Sequence, residues 1–166
     1  AVAFVFVEIG RGAPALVLLY LLYFGLAESG VTLTAFVVAV ISLGWNTGAY
    51  SSELFRAGIG AVPRGQREAA TTTGLSGWTG FQHIILPQAL RISTPPLVSL
   101  SIQIFQASSL AFVIAVPELM SGAYELGAAT FQYLRVFVLT AIMYAVVTLL
   151  ALSLVRVAER RLSRHV

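Results

Sequence analysis

Long apolar runs fill most of this chain, and its polar residues gather in the gaps between them. Three runs, 31–50, 97–116 and 136–155, each supply the roughly 20 mostly apolar residues that a helix needs to cross a bilayer. A fourth, 13–27, is apolar but shorter, and 1–9 reads as the end of an earlier span. None of them alternates with the period of a strand. Lipid offers no partner to a backbone N–H or C=O, so long non-alternating runs predict helices. The first residue lies inside an apolar run and is not Met, and that run carries neither the charged n-region nor the cleavage site of a signal peptide. The pattern predicts an all-α, polytopic transmembrane helix bundle, truncated at its N-terminus, with four spans after the remnant of one.

Composition agrees. Of 166 residues, 58% are hydrophobic and 10% charged, against about 25% charged in a soluble domain. A core of this size cannot take so much apolar surface out of water. The charges then orient the chain. There is no Lys, so every basic residue other than His is Arg. Arg11 separates the first two segments, and Arg56, Arg64, Arg67 and Arg91 lie between 31–50 and 97–116. Arg156, Arg160, Arg161 and Arg164 follow the last run. If successive segments cross in alternation, only Arg135 falls on the other side, with Glu28, Glu118 and Glu125. The basic side is cytoplasmic. The same count makes 13–27 a true crossing, since otherwise Arg11 and Arg56 would lie on opposite faces.

Absent residue types remove several chemistries. Without Cys there is no disulfide or thiolate metal site, and without Asp no Ser–His–Asp set. Without Lys there is no P-loop. His83 and His165 each lack a second ligand at metal spacing. No catalytic residue, metal or cofactor is expected. The net charge of +3 does not signal nucleic acid, because no basic patch is interleaved with aromatics.

The stretch 64–91, RGQREAATTTGLSGWTGFQHIILPQALR, cannot cross. A charge near the bilayer centre costs roughly 2.5–3.5 kcal/mol, and this stretch holds Arg64, Arg67, Glu68 and Arg91. It is expected to be a cytoplasmic loop with structure of its own. GQREAATTT predicts a short helix, ended by Gly74 in the left-handed conformation. SGWTGFQHII predicts a second, with Ser76 or Thr79 as N-cap. Pro87 suits the first turn of a helix that returns to the membrane. Two short helices joined at a glycine make a compact knob.

The order Glu68-Ala69-Ala70, Gly74, then Ile85-Leu86-Pro87 resembles the EAA loop in the membrane subunits of binding-protein-dependent ABC importers. RGAPALVLLYLLYFGL, AYSSELFRAGIGAVPRGQREAA and ILPQALR are similar to the polar amino acid (His/Gln-type) branch of that family. The resemblance runs from about Arg11 to the Arg-rich tail. It implies the type I importer permease fold in a bacterial cytoplasmic (inner) membrane. It also implies that Glu68, Ala69, Ala70, Gly74, Leu86 and Pro87 belong to coupling helices that dock on an ABC ATPase subunit. That partner, and not this chain, would hydrolyse ATP. An extracytoplasmic solute-binding protein would deliver a polar amino acid, and a second permease copy or a sister permease would complete the path. The residues suit this use. Ala69 and Ala70 permit close approach, Arg67 and Glu68 can pair with a partner's charges, and Trp78 or Phe81 can anchor. Alternatives are a related solute, such as an opine or compatible solute, or a secondary transporter or channel. Ion-coupled transporters usually carry ionisable groups at mid-membrane, and none of the central runs has one.

Ser99, Gln103 and Gln106 recur at helical spacing in an apolar run, so they line either a substrate route or an interhelical contact. Ser109 joins them as a candidate for the path. In the amino acid branch this helix often reads KDTSL or KNTSL, whereas residues 106–110 read QASSL. Gln106 and Ala107 thus replace a Lys and an acidic or amide residue. Glu53 and Arg56 are spaced for an i,i+3 ion pair. Gly44 and Gly48 form a GxxxG pattern, expected to pack closely within the subunit or across a dimer, with Asn46 bonding across that contact. Glu118, after Pro117, is a contact for the external protein, a helix terminus or an exposed acid.

Overall fold

The computed structural model describes residues 2–162, with side chains as far as Val155. Arg164 and His165 lie outside the described residues, as do the side chains of Arg156, Arg160 and Arg161. Among the described residues every regular element is helical. In chain order these are α1 (Val2–Gly12), α2 (Ala15–Glu28), α3 (Ala35–Ala61), α4 (Arg64–Thr72), α5 (Gly77–Gly80), a π turn (Phe81–Ile85), α6 (Leu86–Ala107), a 3₁₀ turn (Ser108–Ile114), α7 (Leu119–Thr130) and α8 (Tyr133–Leu162). The helical stretches Gly77–Ile114 and Tyr133–Val155 are each long and apolar enough to cross a membrane. Only 11% and 6% of their most apolar windows is buried inside the chain, which leaves those faces for lipid or another subunit.

The helices begin and end differently from the apolar runs. Residues 31–34 precede α3, because Gly30, at φ +86°, closes α2 first. Beyond residue 50, α3 continues to Ala61 through Ser51, Ser52 and Glu53. Val116 lies outside the helix, since Ala115 turns left-handed at φ +63°. The segment after Pro117, expected to be an outer loop, holds α7. Hydrophobicity marks the part of a helix that lipid can accept, whereas caps mark its ends.

Two compact units emerge, one from the chain up to Gly12 and Trp45–Ser101, the other from 13–44 and Ile102 onward. In the first, α3 holds the end of α1. Trp45 stacks on Phe6 with ring centroids 4.8 Å apart, and its indole N–H donates to the Phe6 carbonyl at 3.1 Å. Asn46 donates to the Gly10 carbonyl at 2.7 Å and Tyr50 to the Arg11 carbonyl at 3.0 Å. The last four carbonyls of a helix have no partner within it, and these two bonds satisfy two of them in α1. Asn46 thus finds one partner at the end of α1. An added Cβ on Gly44 or Gly48 would meet nothing within 4 Å, so neither glycine is held against another helix among the described residues.

In the second unit Leu19, Val38, Ala39, Leu43, Ala111, Ile114 and Val116 form one buried cluster. Gly127 lets Tyr133 lie against α7, since a Cβ there would come within 2.6 Å of the ring. Glu118 is the N-cap of α7. Its carboxylate accepts from the backbone N–H of Met120 (2.7 Å) and Ser121 (2.8 Å), and the Ser121 hydroxyl accepts from the Glu118 N–H (2.8 Å). The Tyr144 hydroxyl of α8 donates to the same carboxylate at 3.0 Å. Of the three uses open to Glu118, the structure shows the helix terminus. Glu118→Ala removes the cap, worth about 1 kcal/mol, and leaves Tyr144 without an acceptor, worth about 1 kcal/mol more. We expect a lower thermal midpoint for Glu118→Ala and a smaller shift for Tyr144→Phe, both read by heat-step size exclusion of purified protein.

Candidate functional site

The segment 64–91 builds a helical hairpin inside the first unit. Pro63, at φ −53°, leads directly into α4, and Pro is suited to a helix start because its missing N–H needs no partner there. The end of α4 is a Schellman motif. Gly74 takes φ +76°, its N–H donates to the Thr71 carbonyl at 3.1 Å, and the Leu75 N–H donates to the Ala70 carbonyl at 3.3 Å. Ser76 then caps α5, its hydroxyl accepting from the Thr79 N–H at 3.2 Å. Thr79 is not the cap, though its own hydroxyl meets that of Ser76 at 2.7 Å.

The two short helices touch through their smallest residues. Ala70 is buried, and a Cβ added to Gly80 would stand 3.2 Å from the Ala70 Cβ. The rest of α4 faces outward. Glu68 and Ala69 are exposed, and Glu68 enters no ion pair among the described residues. Trp78 is 69% exposed and stacks on Phe81 at 5.8 Å. Leu75 is also exposed. The hairpin thus presents a carboxylate, small residues and a broad apolar ring on one compact body.

The hairpin is also bonded to its neighbours. Arg67 donates to the Ile59 carbonyl of α3 at 2.6 Å. Gln88 of α6 donates to Gln66 Oε1 at 3.3 Å and to the Ile84 carbonyl at 2.9 Å. Leu86 is half-buried and Pro87 exposed. Pro87 explains the π turn before it. A proline inside a helix lacks an N–H and collides with the carbonyl four residues back. Widening the turn, so that the Leu86 N–H donates to the Phe81 carbonyl, eases that collision. At the end of α3, Glu53 bonds Arg56 and lies 3.4 Å from Arg11, which also bonds Glu8 at 2.9 Å. Hydrogen bonding from Arg56 holds the Glu53 carboxyl below its usual range, and the charges of Arg56 and Arg11 act in the same direction.

The candidate path residues each make their own contact. The Ser99 hydroxyl donates to the Pro95 carbonyl at 3.2 Å and the Ser109 hydroxyl to the Gln106 carbonyl at 2.7 Å. Gln103 is exposed. Gln106 donates to Thr148 of α8 at 3.3 Å, an interhelical bond. Among the described residues no group of His or Glu side chains is placed to hold a metal ion.

Residues 1–164 match the family model described as "Binding-protein-dependent transport system inner membrane component". The chain belongs to this permease family. It is 38% identical to a probable amino-acid ABC transporter permease protein, YckA, of Bacillus subtilis, over 97% of this chain and 71% of that protein. It is 40% identical to the L-cystine transport system permease protein TcyB of the same organism, over 98% of this chain and 70% of that one. A crystal structure of an amino acid ABC transporter with histidines superposes with a TM-score of 0.92. It is 36% identical, covering 96% of this chain and 75% of that chain. The chain is therefore the multi-pass membrane subunit of an ABC transport system, a transport component.

Two contacts in the permease were not visible in its sequence. One is Gly80 against Ala70. The other is Gly58 of α3, which faces Ser93 of α6. A Cβ on Gly58 would run into Ser93 Oγ and come within 2.9 Å of the Ala89 carbonyl oxygen. Ser93 is buried and donates to the Leu54 carbonyl at 3.2 Å. Small residues at 58, 70, 80 and 93 were a signal for close approach, but spacing within one helix does not name the residue opposite.

Proposed function

We propose that the permease imports a polar amino acid across a bacterial inner membrane, and that its 64–91 hairpin is where ATP hydrolysis on a partner is turned into movement. The observation that carries this is the hairpin itself: two helices locked at Ala70–Gly80 and a left-handed Gly74, with Glu68, Leu75 and Trp78 turned outward. Such a body can enter a groove on an ATPase subunit as a rigid piece. In this reading the spans are near 13–27, 31–50, 97–116 and 136–155, and the hairpin lies on the cytoplasmic side. An external binding protein delivers substrate, and a second permease, identical or sister, forms the other half of the path. Gln103, with Ser99, Gln106 and Ser109, lines that path. The amino acid itself is supported by the names of the relatives, which include an L-cystine permease. ATPase closure shifts the hairpin and so biases two arrangements of the helices.

The test is ATP hydrolysis by the full-length permease with its ATPase, with and without loaded binding protein. No co-purifying ATPase and no stimulation would sink the reading. Gly74→Val places a β-branched residue at φ +76°, at a cost of about 1–2 kcal/mol. It should uncouple hydrolysis from uptake while insertion stays normal. Gly74→Asn should be milder, because Asn visits that conformation more readily.

A further inference from the structure

The turn between α7 and α8 carries a strained, exposed aromatic that no packing within the chain explains. Phe131 sits at φ +57°, where a bulky side chain is rare. It closes α7 in a position that Gly or Asn usually takes, and it is 89% exposed. Leu134, one turn on, is 78% exposed. Neither gains burial inside the chain that would offset its cost. With Gln132, Tyr133 and Arg135 they line an open groove of about 480 Å³. Arg135 donates to Gln132 Oε1 at 3.1 Å and joins no ion pair among the described residues. A guanidinium has five N–H donors, so donors remain for a further acceptor.

What lies beside the groove indicates its occupant. Leu134, Val138, Ile142 and Leu149 recur at helical spacing along α8, and all are exposed. The groove is therefore continuous with the face of a helix long and apolar enough to cross the bilayer. The end of such a helix sits at the level of the lipid headgroups. Arg matches the oxygen geometry of phosphate. We infer that this groove is a phospholipid site at the membrane–water boundary, with Phe131 and Leu134 in the acyl edge and Arg135 on the lipid phosphate. The site sets the depth of the α7–α8 turn.

These 166 residues contain no Cys, and with any Cys elsewhere in the permease or its ATPase replaced by Ser, single spin labels report cleanly. Phe131→Cys and Leu134→Cys are labelled in the full-length permease with its ATPase, in nanodiscs of phosphatidylcholine and phosphatidylglycerol. Both labels should collide with oxygen severalfold more often than a label at exposed Glu125→Cys. They should collide with a water-soluble nickel chelate severalfold less often. Adding Arg135→Gln to the Leu134→Cys variant should raise its nickel collisions, and no change would overturn the phosphate contact. Labels at 131 and 134 as open to nickel as the one at 125 would overturn the site. So would shielding that appears only with loaded binding protein, which would make this a protein-docking surface. The Leu134 label keeps the test intact if Phe131→Cys does not fold.

Discussion

Gly58→Ala should be among the most damaging single-methyl changes in this permease. The new Cβ runs into Ser93 Oγ and the Ala89 carbonyl oxygen, and backbone cannot retreat as a side chain can. Overpacking of this kind costs about 1–3 kcal/mol. Displacing Ser93 also breaks its bond to the Leu54 carbonyl, worth about 1 kcal/mol. In the opposite direction, Ala is a better helix former than Gly by up to about 1 kcal/mol. The net is a loss of about 2 kcal/mol, and Gly58→Leu should prevent assembly. Gly58→Ala with Ser93→Gly should recover only part, because the Ala89 carbonyl stays in place. Heat-step size exclusion in nanodiscs reads all three variants. An unchanged midpoint for Gly58→Ala would mean that these two helices do not approach as described.

Gly80→Leu should leave the spans inserted and cut transport several-fold or more. Its side chain enters the Ala70 contact, where even a Cβ stands at 3.2 Å. Opening that contact costs about 1–3 kcal/mol, and one or two kcal/mol changes the population of the paired hairpin by a factor of about 5–30. Uptake and binding-protein-stimulated hydrolysis should fall in that range together. The exchange Ala70→Gly with Gly80→Ala moves the methyl from one helix to the other. It should restore most of the activity, because the roughly 1 kcal/mol that Gly costs inside α4 is offset in part by the Ala gained at 80. Normal uptake by Gly80→Leu would refute the rigid-hairpin account.

The chain's local features were legible where the cause is local. Gly74 had to end a helix and Ser76 could begin one, because caps depend on a few neighbouring residues. The apolar runs announced helices for the same reason. The helix α7 was missed because Leu119–Thr130 is short and follows a proline, so it resembled a loop. Glu118 and Ser121 held a reciprocal cap three residues apart, and that signal was there to be read. Asn46 was legible as a polar residue needing a partner, but the Gly10 carbonyl lies 36 residues away. The Gly44–Gly48 pattern suggested packing within the subunit or across a dimer, and among the described residues a Cβ on either would meet nothing within 4 Å, which speaks against the first alone. Periodicity tells which side of a helix is special and cannot tell what stands opposite.

The join between α3 and α4 has a mechanical consequence. Only Val62 and Pro63 separate the two helices. Val62 is 3% exposed, Pro63 has a ring-fixed φ, and Arg67 reaches back to the Ile59 carbonyl. This elbow has almost no play. A force that tilts α4 is delivered as torque on the end of α3, without first drawing in slack chain. Inserting flexible residues after Val62 would act as a clutch: the hairpin could still hold its partner, yet turn without turning the helix behind it.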